Sequence, residues 1–316
     1  MTENTAGSIL SIGNISVDVI IPYGRAKQAL AAVERGESTG QADSLYATMQ
    51  PGGTASNSAA TMAQLGCPVV LGGTIGGDMY GDFLIRAMQQ RGVDCRHVGR
   101  QGGTFLCLTV LDEEGERVML PLQVPGQQSG WDLPVDIPPT GWSWVFVNGV
   151  GSEDRGFAQK VGPFVRACRQ AGAKVALDLN LRAELFGYSA QRRAIFEELI
   201  QLSDVVFGSG SDEVCTVTGQ KTLAAAALAL AQNGGAAVVR DGTGPVLLAQ
   251  NDTLEQFAVQ PVQQVRNKVG AGDCFDGAFL AALYHGRTLK QAVAWGNACA
   301  ADAISRPGYL NIRRPE

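Results

Sequence analysis

An aspartate in a glycine-rich turn is the residue of this chain best suited to chemistry. The segment Gly270-Ala271-Gly272-Asp273 is followed by apolar residues at helical spacing, which predicts a sharp turn that leads into a helix. The free N–H groups and the positive end of the dipole at such a helix start favour an anion, typically a phosphate. A carboxylate beside a phosphate suits phosphoryl transfer, in which it takes the proton of the acceptor hydroxyl. Taken alone, the pattern fits an ordinary helix cap equally well.

Two earlier stretches are candidates for contacts to a small ligand. Gly52-Gly53 begins a run of small residues that merges into a helix, and Asn57 in this run can both donate and accept hydrogen bonds. The glycines allow a ligand to approach closely, although small residues also favour tight packing of a helix on a sheet. Asp18 follows the strand predicted at residues 9–15, near the edge where open α/β sheets bind ligands. It is either a hydroxyl-binding carboxylate or a turn residue.

Polar residues also follow three later strands. Arg182 could hold a carboxylate or phosphate through two parallel hydrogen bonds, or form a surface ion pair. Glu213, beside Asp212, could hold a metal ion through water, although acidic loop residues are more often simply solvated. Arg240 precedes a turn at Gly242, and this turn either faces a phosphate or closes a hairpin.

These side chains need a scaffold that brings strand ends together, and the second half of the chain alternates regularly between strands and helices. Strands are predicted at residues 144–148, 174–179, 204–207, 236–240 and 246–249. Helices are predicted at residues 157–171, 190–202 and 223–232. This alternation indicates a parallel sheet with helices on both faces. Residues 22–50 are poorly periodic, and residues 105–122 have the period of a β-hairpin, so we interpret both segments as parts of a lid or of an oligomer contact.

Composition describes a folded globular protein. Of 316 residues, 45% are hydrophobic and 17% are charged, and no linker divides the chain. The net charge of -5 argues against nucleic acid and anionic membranes as partners. We find neither a signal peptide nor an apolar run near the roughly 18 residues of a membrane span. The seven cysteines are scattered, which predicts reduced thiols in a cytoplasmic protein. Cys274 differs because it follows a helix start, where thiol pKa values fall.

With these residues in order, the chain resembles the ribokinase-like, or PfkB, family of carbohydrate kinases over nearly its whole length. Gly52-Gly53 with Asn57 resembles the first family signature, and residues 269–277 resemble the second. The resemblance implies one domain over residues 1–316, a doubly wound, mostly parallel α/β sheet, and a small β lid from insertions at about residues 20–51 and 105–122. It also implies ATP-dependent phosphorylation of an alcohol with Mg²⁺, hence a phosphotransferase.

The same resemblance implies a role for each matching residue. At the reaction centre, Asp273 is similar to the catalytic base, and Gly270, Ala271 and Gly272 resemble the anion hole for the γ-phosphate. The residues implied elsewhere are Asp18, Gly52, Gly53, Asn57 and Arg182 at the substrate, Arg240, Gly242 and Asn297 at the nucleotide, and Glu213 at magnesium through water.

Two departures from the family lie in the stretches before Glu213 and before the anion hole. Where many members have asparagine, three residues before Glu213, this chain has Gly210. Before the anion hole, the family commonly has an aspartate that helps to form a monovalent-cation site, and this chain has Asn267-Lys268. We hypothesise that the Lys268 ammonium performs part of the work of a potassium ion, so that a dependence on a monovalent cation is doubtful.

A third departure concerns the substrate. Asp178-x-Asn180-x-Arg182 resembles fructokinases and sugar-acid kinases, but residues 120–123 lack the Tyr-x-Arg that sugar-acid kinases usually carry after the lid hairpin. A small sugar-like substrate is therefore expected, with a nucleoside kinase of the same fold or a non-catalytic nucleotide- or sugar-binding regulator as alternatives. A dehydrogenase is disfavoured because no dinucleotide fingerprint follows the first strand. Unpaired strand edges on the lid predict a homodimer through the lid.

Overall fold

The computed structural model describes residues 7–36, 47–111, 117–122, 132–134, 136–153, 155–266, 268–306 and 315. The strands are β1 (Ser8–Ile12), β2 (Ser16–Pro22), β3 (Thr48–Gly52), β4 (Val69–Ile75), β5 (Val93–Arg100), β6 (Leu106–Leu111), β7 (Arg117–Leu122), β8 (Trp142–Asn148), β9 (Lys174–Asp178), β10 (Val205–Ser209), β11 (Ala236–Arg240), β12 (Val246–Gln250) and β13 (Thr253–Phe257). The α-helices are α1 (Tyr23–Glu34), α2 (Thr54–Gln64), α3 (Met79–Gln89), α4 (Arg155–Gln170), α5 (Ala183–Phe186), α6 (Ala190–Leu202), α7 (Gly210–Thr218), α8 (Leu223–Gly234), α9 (Ala271–Tyr284) and α10 (Leu289–Ile304), and a 3-10 helix spans Gly149–Glu153.

The larger sheet has nine strands in the order β13-β12-β11-β10-β9-β8-β1-β4-β5. Neighbouring strands run parallel except at β12, which is antiparallel to both β11 and β13. The chain order reverses between β1 and β8, and such a switch point opens a crevice at the carboxyl ends of the strands. The predicted doubly wound, mostly parallel sheet is confirmed.

Helices cover both faces of this sheet because successive side chains of its strands point to opposite sides. Ile9 of β1 packs into an apolar cluster with α2, α9 and α10, whereas Leu10 packs into a second cluster with α4, α6 and α8. Both side chains are fully buried. The two cores hold the carboxyl ends of the parallel strands at one rigid edge, where the predicted polar residues are found.

Four strands form a separate lid sheet in the order β3-β2-β6-β7. Asp18 lies inside β2, opposite Gln50 of β3 and Cys107 of β6. The expectation that Asp18 lies just past the first core strand is therefore wrong: the core strand ends at Ile12, and a second strand begins at Ser16. The lid consequently starts a few residues before residue 20.

Other elements differ from the predictions in detail. Of residues 22–50, which the sequence assigned to the lid, residues 23–34 form the helix α1, and residues 37–46 lie outside the described residues. The turn of the predicted hairpin, at residues 112–116, also lies outside them. The strands β5 and β13 and the helices α3 and α10 were not predicted. No single helix in the described ranges has the length and apolar composition to cross a membrane, and the consecutive helices α7 and α8, bent by 47°, would pass that test only as a pair.

Candidate active site

A cleft of about 890 Å³ lies between the lid sheet and the carboxyl ends of the core strands. The residues around it that the sequence singled out include Asp18, Gly53, Asn57, Arg182, Glu213, Arg240, Lys268, Gly270, Gly272 and Asp273. The other predicted site residues are Gly52, Ala271, Gly242 and Asn297, and these do not line the described walls of the cleft. Most of the predicted residues are thus neighbours in space although they come from distant parts of the chain.

The start of α9 forms the predicted glycine turn. Gly270 caps the helix with a φ of 75°, a left-handed conformation that residues with a Cβ rarely adopt. The first bond within the helix is donated by the N–H of Cys274 to the carbonyl of Gly270 over 2.9 Å. The N–H of Gly272 precedes that bond and can therefore serve an anion. The N–H of Ala271 makes a long 3.5 Å hydrogen bond to the carbonyl of Lys268, which an anion would have to displace.

Asp273 is the buried carboxylate of this turn. Its Oδ2 accepts a 2.7 Å hydrogen bond from Nδ2 of Asn57 on α2, and Ser58 Oγ donates to its backbone carbonyl over 3.1 Å. Burial raises the pKa of Asp273 to about 6, with Asp178 adding to the rise, while Asn57 and Arg240 oppose it. The carboxylate is therefore ionised at neutral pH yet more basic than an exposed aspartate, which suits a general base.

Asp18 faces the cleft from the lid sheet and is 4% exposed. Its carboxylate lies against the backbone of Gly52, where a Cβ would overlap both carboxylate oxygens. Ser16 Oγ donates to Asp18 Oδ1 over 3.4 Å. The contribution of Gly52 to the site is thus the space that it leaves for Asp18.

Gly53 has a different function in the same stretch. Its φ is 87°, and a Cβ there would lie 2.6 Å from the carbonyl oxygen of Asn14. Asn14 in turn accepts hydrogen bonds at its Oδ1 from the N–H and Oγ1 of Thr54, over 2.6 and 2.9 Å. The first turn of α2, which carries Asn57, is therefore fastened to the loop between β1 and β2 by a contact that only glycine permits.

Glu213 lies at the start of α7 and lines the cleft. Its two oxygens accept backbone hydrogen bonds from Leu181, over 2.7 Å, and from Ser209, over 2.6 Å. Burial raises its pKa to about 7, and the nearby Asp178 contributes to the rise. In the described residues, no group of three or more His, Cys, Asp or Glu side chains is close enough to hold a metal ion. The predicted role for Glu213 through water does not require such a group.

The loop after β9 has an unusual backbone. Asn180 and Arg182 have φ values of 35° and 47°, in the left-handed region that side chains other than glycine disfavour. Arg192 of α6 holds this loop from below: its Nη2 donates to the carbonyl of Leu181 over 2.6 Å, and its Nε donates to Ser152 Oγ over 3.2 Å. The conformation directs Arg182 to the cleft wall.

Arg240 extends from the end of β11 into the cleft wall and is 13% exposed. Its Nη2 donates to Oδ1 of Asp178 over 3.3 Å, and the other oxygen of Asp178 accepts a 3.0 Å hydrogen bond from Asn148. The ends of β8, β9 and β11 therefore share one buried polar network.

The remaining predicted nucleotide residues lie outside the cleft lining. Gly242 occupies the turn between β11 and β12 with a φ of 56° and open space around its Cβ position. Asn297 is on α10, and its Nδ2 donates to the carbonyl of Ala258 over 3.4 Å. Their roles stay predictions.

The expectation of a low thiol pKa at Cys274 is wrong. The side chain is fully buried, and burial raises its pKa although it lies in the first turns of α9. Desolvation of the thiolate outweighs the helix dipole here.

Several residues of the site were missed by sequence reasoning. They are Asn14, Asn148, Arg192 and Asp276. Asp276 had a detectable signal, because it is a charged residue inside the otherwise apolar stretch that follows Asp273. Asn148 and Asn14 follow buried strands, as the predicted polar residues do, but single asparagines at strand ends are common turn residues. Arg192 had no signal, since its acceptors, the carbonyl of Leu181 and the hydroxyl of Ser152, come from distant parts of the chain.

Comparison with known proteins gives one family match and several similar relatives. The family model described as "pfkB family carbohydrate kinase" matches residues 8–314. Aminoimidazole riboside kinase of Salmonella typhimurium is 27% identical over 82% of this chain and 83% of its own length. Fructokinase of Salmonella typhimurium is 26% identical over 74% of this chain and 76% of its own length.

Solved structures of the same fold are also similar. A fructokinase double mutant from Vibrio cholerae O395, crystallised with fructose, ADP and a potassium ion, superposes with a TM-score of 0.80 at 25% identity. The match covers 97% of this chain and 94% of the fructokinase.

Proposed function

Because the chain belongs to the pfkB family of carbohydrate kinases, we propose that it transfers the γ-phosphate of ATP to a hydroxyl of a small sugar or sugar derivative, with Asp273 as general base. It is a phosphotransferase with an alcohol group as acceptor. One observation carries the residue assignment: the hydrogen bond between Asn57 and Asp273 joins two stretches 216 positions apart at one wall of the cleft. The anion-binding turn at Gly270 and Gly272 belongs to the same wall.

The mechanism follows from these positions. We place the acceptor hydroxyl between Asp273 and the γ-phosphate, so that the hydroxyl oxygen attacks phosphorus in line with the leaving oxygen of ADP. Asp273 accepts the hydroxyl proton as the oxygen–phosphorus bond forms. The N–H groups of the turn stabilise the charge that spreads over the transferring group. Asp18 and Asn57 hold other hydroxyls of the acceptor in this geometry.

Magnesium is the metal that best fits a site made of phosphate oxygens and the carboxylate of Glu213. Glu213 is fixed by two backbone hydrogen bonds and retains lone pairs for metal-bound water, so we assign it to orient the hydrated ion. When bound, Mg²⁺ supplies neutralisation of phosphate charge. Arg240, Gly242 and Asn297 are proposed to contact the nucleotide.

The experiment that tests this function is a screen for ADP release with ATP and Mg²⁺ across neutral sugars, sugar acids and nucleosides. Turnover that depends on one acceptor class is the expected result. Absence of turnover with every acceptor, together with a thermal shift on addition of ATP, would instead support a nucleotide-binding regulator.

The lid wall of the cleft favours an uncharged acceptor. Its described residues from the lid sheet, besides Ser16 and Asp18, are Cys107, Met119 and Pro121, and Phe105 directly precedes β6; none of these last four carries a charge. Sugar hydroxyls buried against these side chains would lose hydrogen bonds to water, whereas a planar base or another apolar group would gain from burial. A nucleoside is therefore the second candidate acceptor, beside a neutral sugar, and a sugar acid is disfavoured.

The acidic limb of the pH profile of kcat/KM should report Asp273. The base form of Asp273 is needed, so its titration is expected to lower activity below pH about 6, and protonation of Glu213, whose pKa burial raises to about 7, adds a fall just above this range. Asn57 stabilises the ionised carboxylate, so Asn57→Leu should raise the pKa and move the limb upward by roughly one pH unit, the equivalent of one charge-assisted hydrogen bond. Ser58→Ala is the matched control, because Ser58 Oγ donates to the backbone carbonyl of Asp273 rather than to its carboxylate. A limb that stays in place in Asn57→Leu would contradict the assignment.

The kcat of this enzyme should depend little on potassium if the Lys268 ammonium supplies the charge that a bound potassium ion supplies in other family members. The Lys268 side chain is exposed and lines the cleft next to Gly270. Asn267 lies outside the described residues. We expect kcat to change less than about twofold when potassium replaces a bulky organic cation, because a fixed ammonium takes over a local charge that a bound ion supplies elsewhere. Lys268→Ala should lower kcat or make it depend on potassium. Strong potassium activation of the unaltered enzyme would contradict the hypothesis.

We further propose a homodimer through the lid and a cytoplasmic location. The edges of the lid sheet are β3 and β7, and Met49, Val118 and Leu120 on these strands are large exposed apolar side chains. Such surface favours a second copy of the lid as a partner. Light scattering at assay concentration is the measurement, and a monomer would contradict the proposal. All seven cysteines are free thiols, which suits a reducing compartment.

A further inference from the structure

A buried ion cluster lies directly beneath the start of α9. Nη1 of Arg240 is 3.1 Å from Oδ1 of Asp276, and Nη2 donates to Asp178 over 3.3 Å. The side chain of Asp276 is 0% exposed, one helical turn after Asp273. An arginine at the end of a core strand thus connects two carboxylates at the inner wall of the cleft.

The guanidinium of Arg240 is also pressed against the anion-binding turn. A Cβ on Gly272 would lie 2.6 Å from Nη1 of Arg240. The guanidinium therefore packs directly against Gly272, in the space that a side chain there would fill. On another side, Cζ of Arg240 is 5.6 Å from the centre of the Phe275 ring. The positive charge is therefore held in place by packing as well as by ion pairs.

The geometry of this ion cluster is poorly suited to stabilising the fold. Among the described residues, neither oxygen of Asp276 accepts a hydrogen bond, and neither Nε nor Nη1 of Arg240 donates one. Taking such charges out of water costs much, and imperfect geometry returns only part of that cost. A well-packed apolar pair would stabilise the same position at least as well. The location of the charge beside the turn is the feature that an apolar pair would lack.

From the proposed function, we infer that Arg240 is a fixed cation behind the anion hole and that Asp276 is the positioning residue that keeps it there. The charged groups that act on Arg240 are Asp276 and Asp273 from α9, Asp178 from β9 and Glu213 from α7. Asp276 holds Nη1 away from the other carboxylates. The positive charge of Arg240 then lies behind the backbone of Gly272, where it stabilises the negative charge of the transferring phosphoryl group. In the described part of the chain, Asp273 forms no ion pair with Nη1 and remains free to act as the base.

Removal of each charge, and of both, separates this role from a purely structural one. Arg240→Met and Asp276→Leu each leave an unpaired buried charge and should lower the melting temperature. The double variant Arg240→Met/Asp276→Leu should recover much of that stability, while Asp178 keeps its hydrogen bond from Asn148. We expect kcat of the double variant to stay roughly a hundredfold below wild type. A double variant with wild-type kcat would overturn the inference.

Binding measurements give a second readout. MgADP with aluminium fluoride imitates the transferring phosphoryl group, and its binding to Arg240→Met with acceptor present should weaken by about the same factor as kcat. Loss of a contact between Arg240 and the nucleotide itself would weaken both complexes equally, so binding of MgADP alone should weaken much less than binding of the complex with aluminium fluoride. Equal weakening of both complexes would show an ordinary nucleotide contact and contradict the inference. Arg240→Lys keeps the charge and should retain more kcat than Arg240→Met, which provides a test if the double variant does not fold.

The pH profile tests the part assigned to Asp276. In Asp276→Asn, the loss of the Asp276 charge and the release of Arg240 toward Asp273 should both lower the pKa of Asp273, so that the acidic limb of kcat/KM moves to lower pH. A limb that does not move would contradict the positioning role. Failure of the proposed function is distinguishable throughout, because it would appear as absent turnover in the unaltered enzyme.

Discussion

Asp273→Asn is expected to lower kcat by a factor on the order of a hundred or more while ATP still binds, because the variant cannot accept the hydroxyl proton. Asparagine has nearly the same shape and can still accept the hydrogen bond from Asn57. The fold should also tolerate the change: burial raises the pKa of Asp273, so its charge costs stability at neutral pH and the neutral amide removes that cost.

The measurement is steady-state ADP release, paired with calorimetric binding of ATP and a melting curve. Asp252→Asn is the matched control, because Asp252 is an exposed carboxylate in the turn between β12 and β13. Turnover at the wild-type rate in Asp273→Asn would exclude this residue as the base. A loss of ATP binding would instead indicate that the carboxylate organises the nucleotide.

Asp18→Ala should have the second-largest effect, and this effect should be confined to the acceptor. Two hydrogen bonds from hydroxyls to a nearly buried carboxylate are together worth a few kcal/mol, so kcat/KM for the acceptor should fall by roughly a hundredfold to a thousandfold. The KM for ATP should stay within about twofold, because Asp18 lies on the lid sheet, whereas the residues proposed to contact the nucleotide belong to the core.

Gly52→Ala offers a milder version of the same test. Its new Cβ overlaps the carboxylate of Asp18, so the carboxylate must move, and kcat/KM for the acceptor should fall by about tenfold. Gly77→Ala is the control, since a Cβ at Gly77 meets nothing within 4 Å. An unchanged kcat/KM in Asp18→Ala would remove this residue from the acceptor site. An equal loss in Gly77→Ala would point to a general defect rather than to the displaced carboxylate.

The sequence predicted the parts of the site that depend on local rules. Glycines directly before an apolar helical pattern predict a turn that leads into a helix. The turn at Gly270, with its left-handed φ, confirms this prediction. The regular alternation of apolar strands and helices likewise predicted the sheet, which the strand order confirms. In both cases, the forces that decide the structure act within a few residues or repeat along the chain.

The parts that failed depend on tertiary packing. Asp18 was placed at the end of a core strand because β1 and β2 have the same apolar pattern, and nothing local shows that the chain changes sheets between Ile12 and Ser16. The lowered thiol pKa expected at Cys274 was wrong because the degree of burial is set by α2 packing on α9. Asp276 was passed over because a single charge does not disturb a helical period.

The placement of Asp18 on one sheet and Asp273 on the other has a kinetic consequence. A sugar held by both carboxylates, as proposed, would tie the lid to the core, whereas ATP bound as proposed would make no use of the lid carboxylate. Water can occupy the acceptor position but cannot span the two sheets, so it cannot draw them together. Futile hydrolysis of ATP should therefore be slow in this enzyme, and the sugar itself acts as the trigger that commits the nucleotide to transfer.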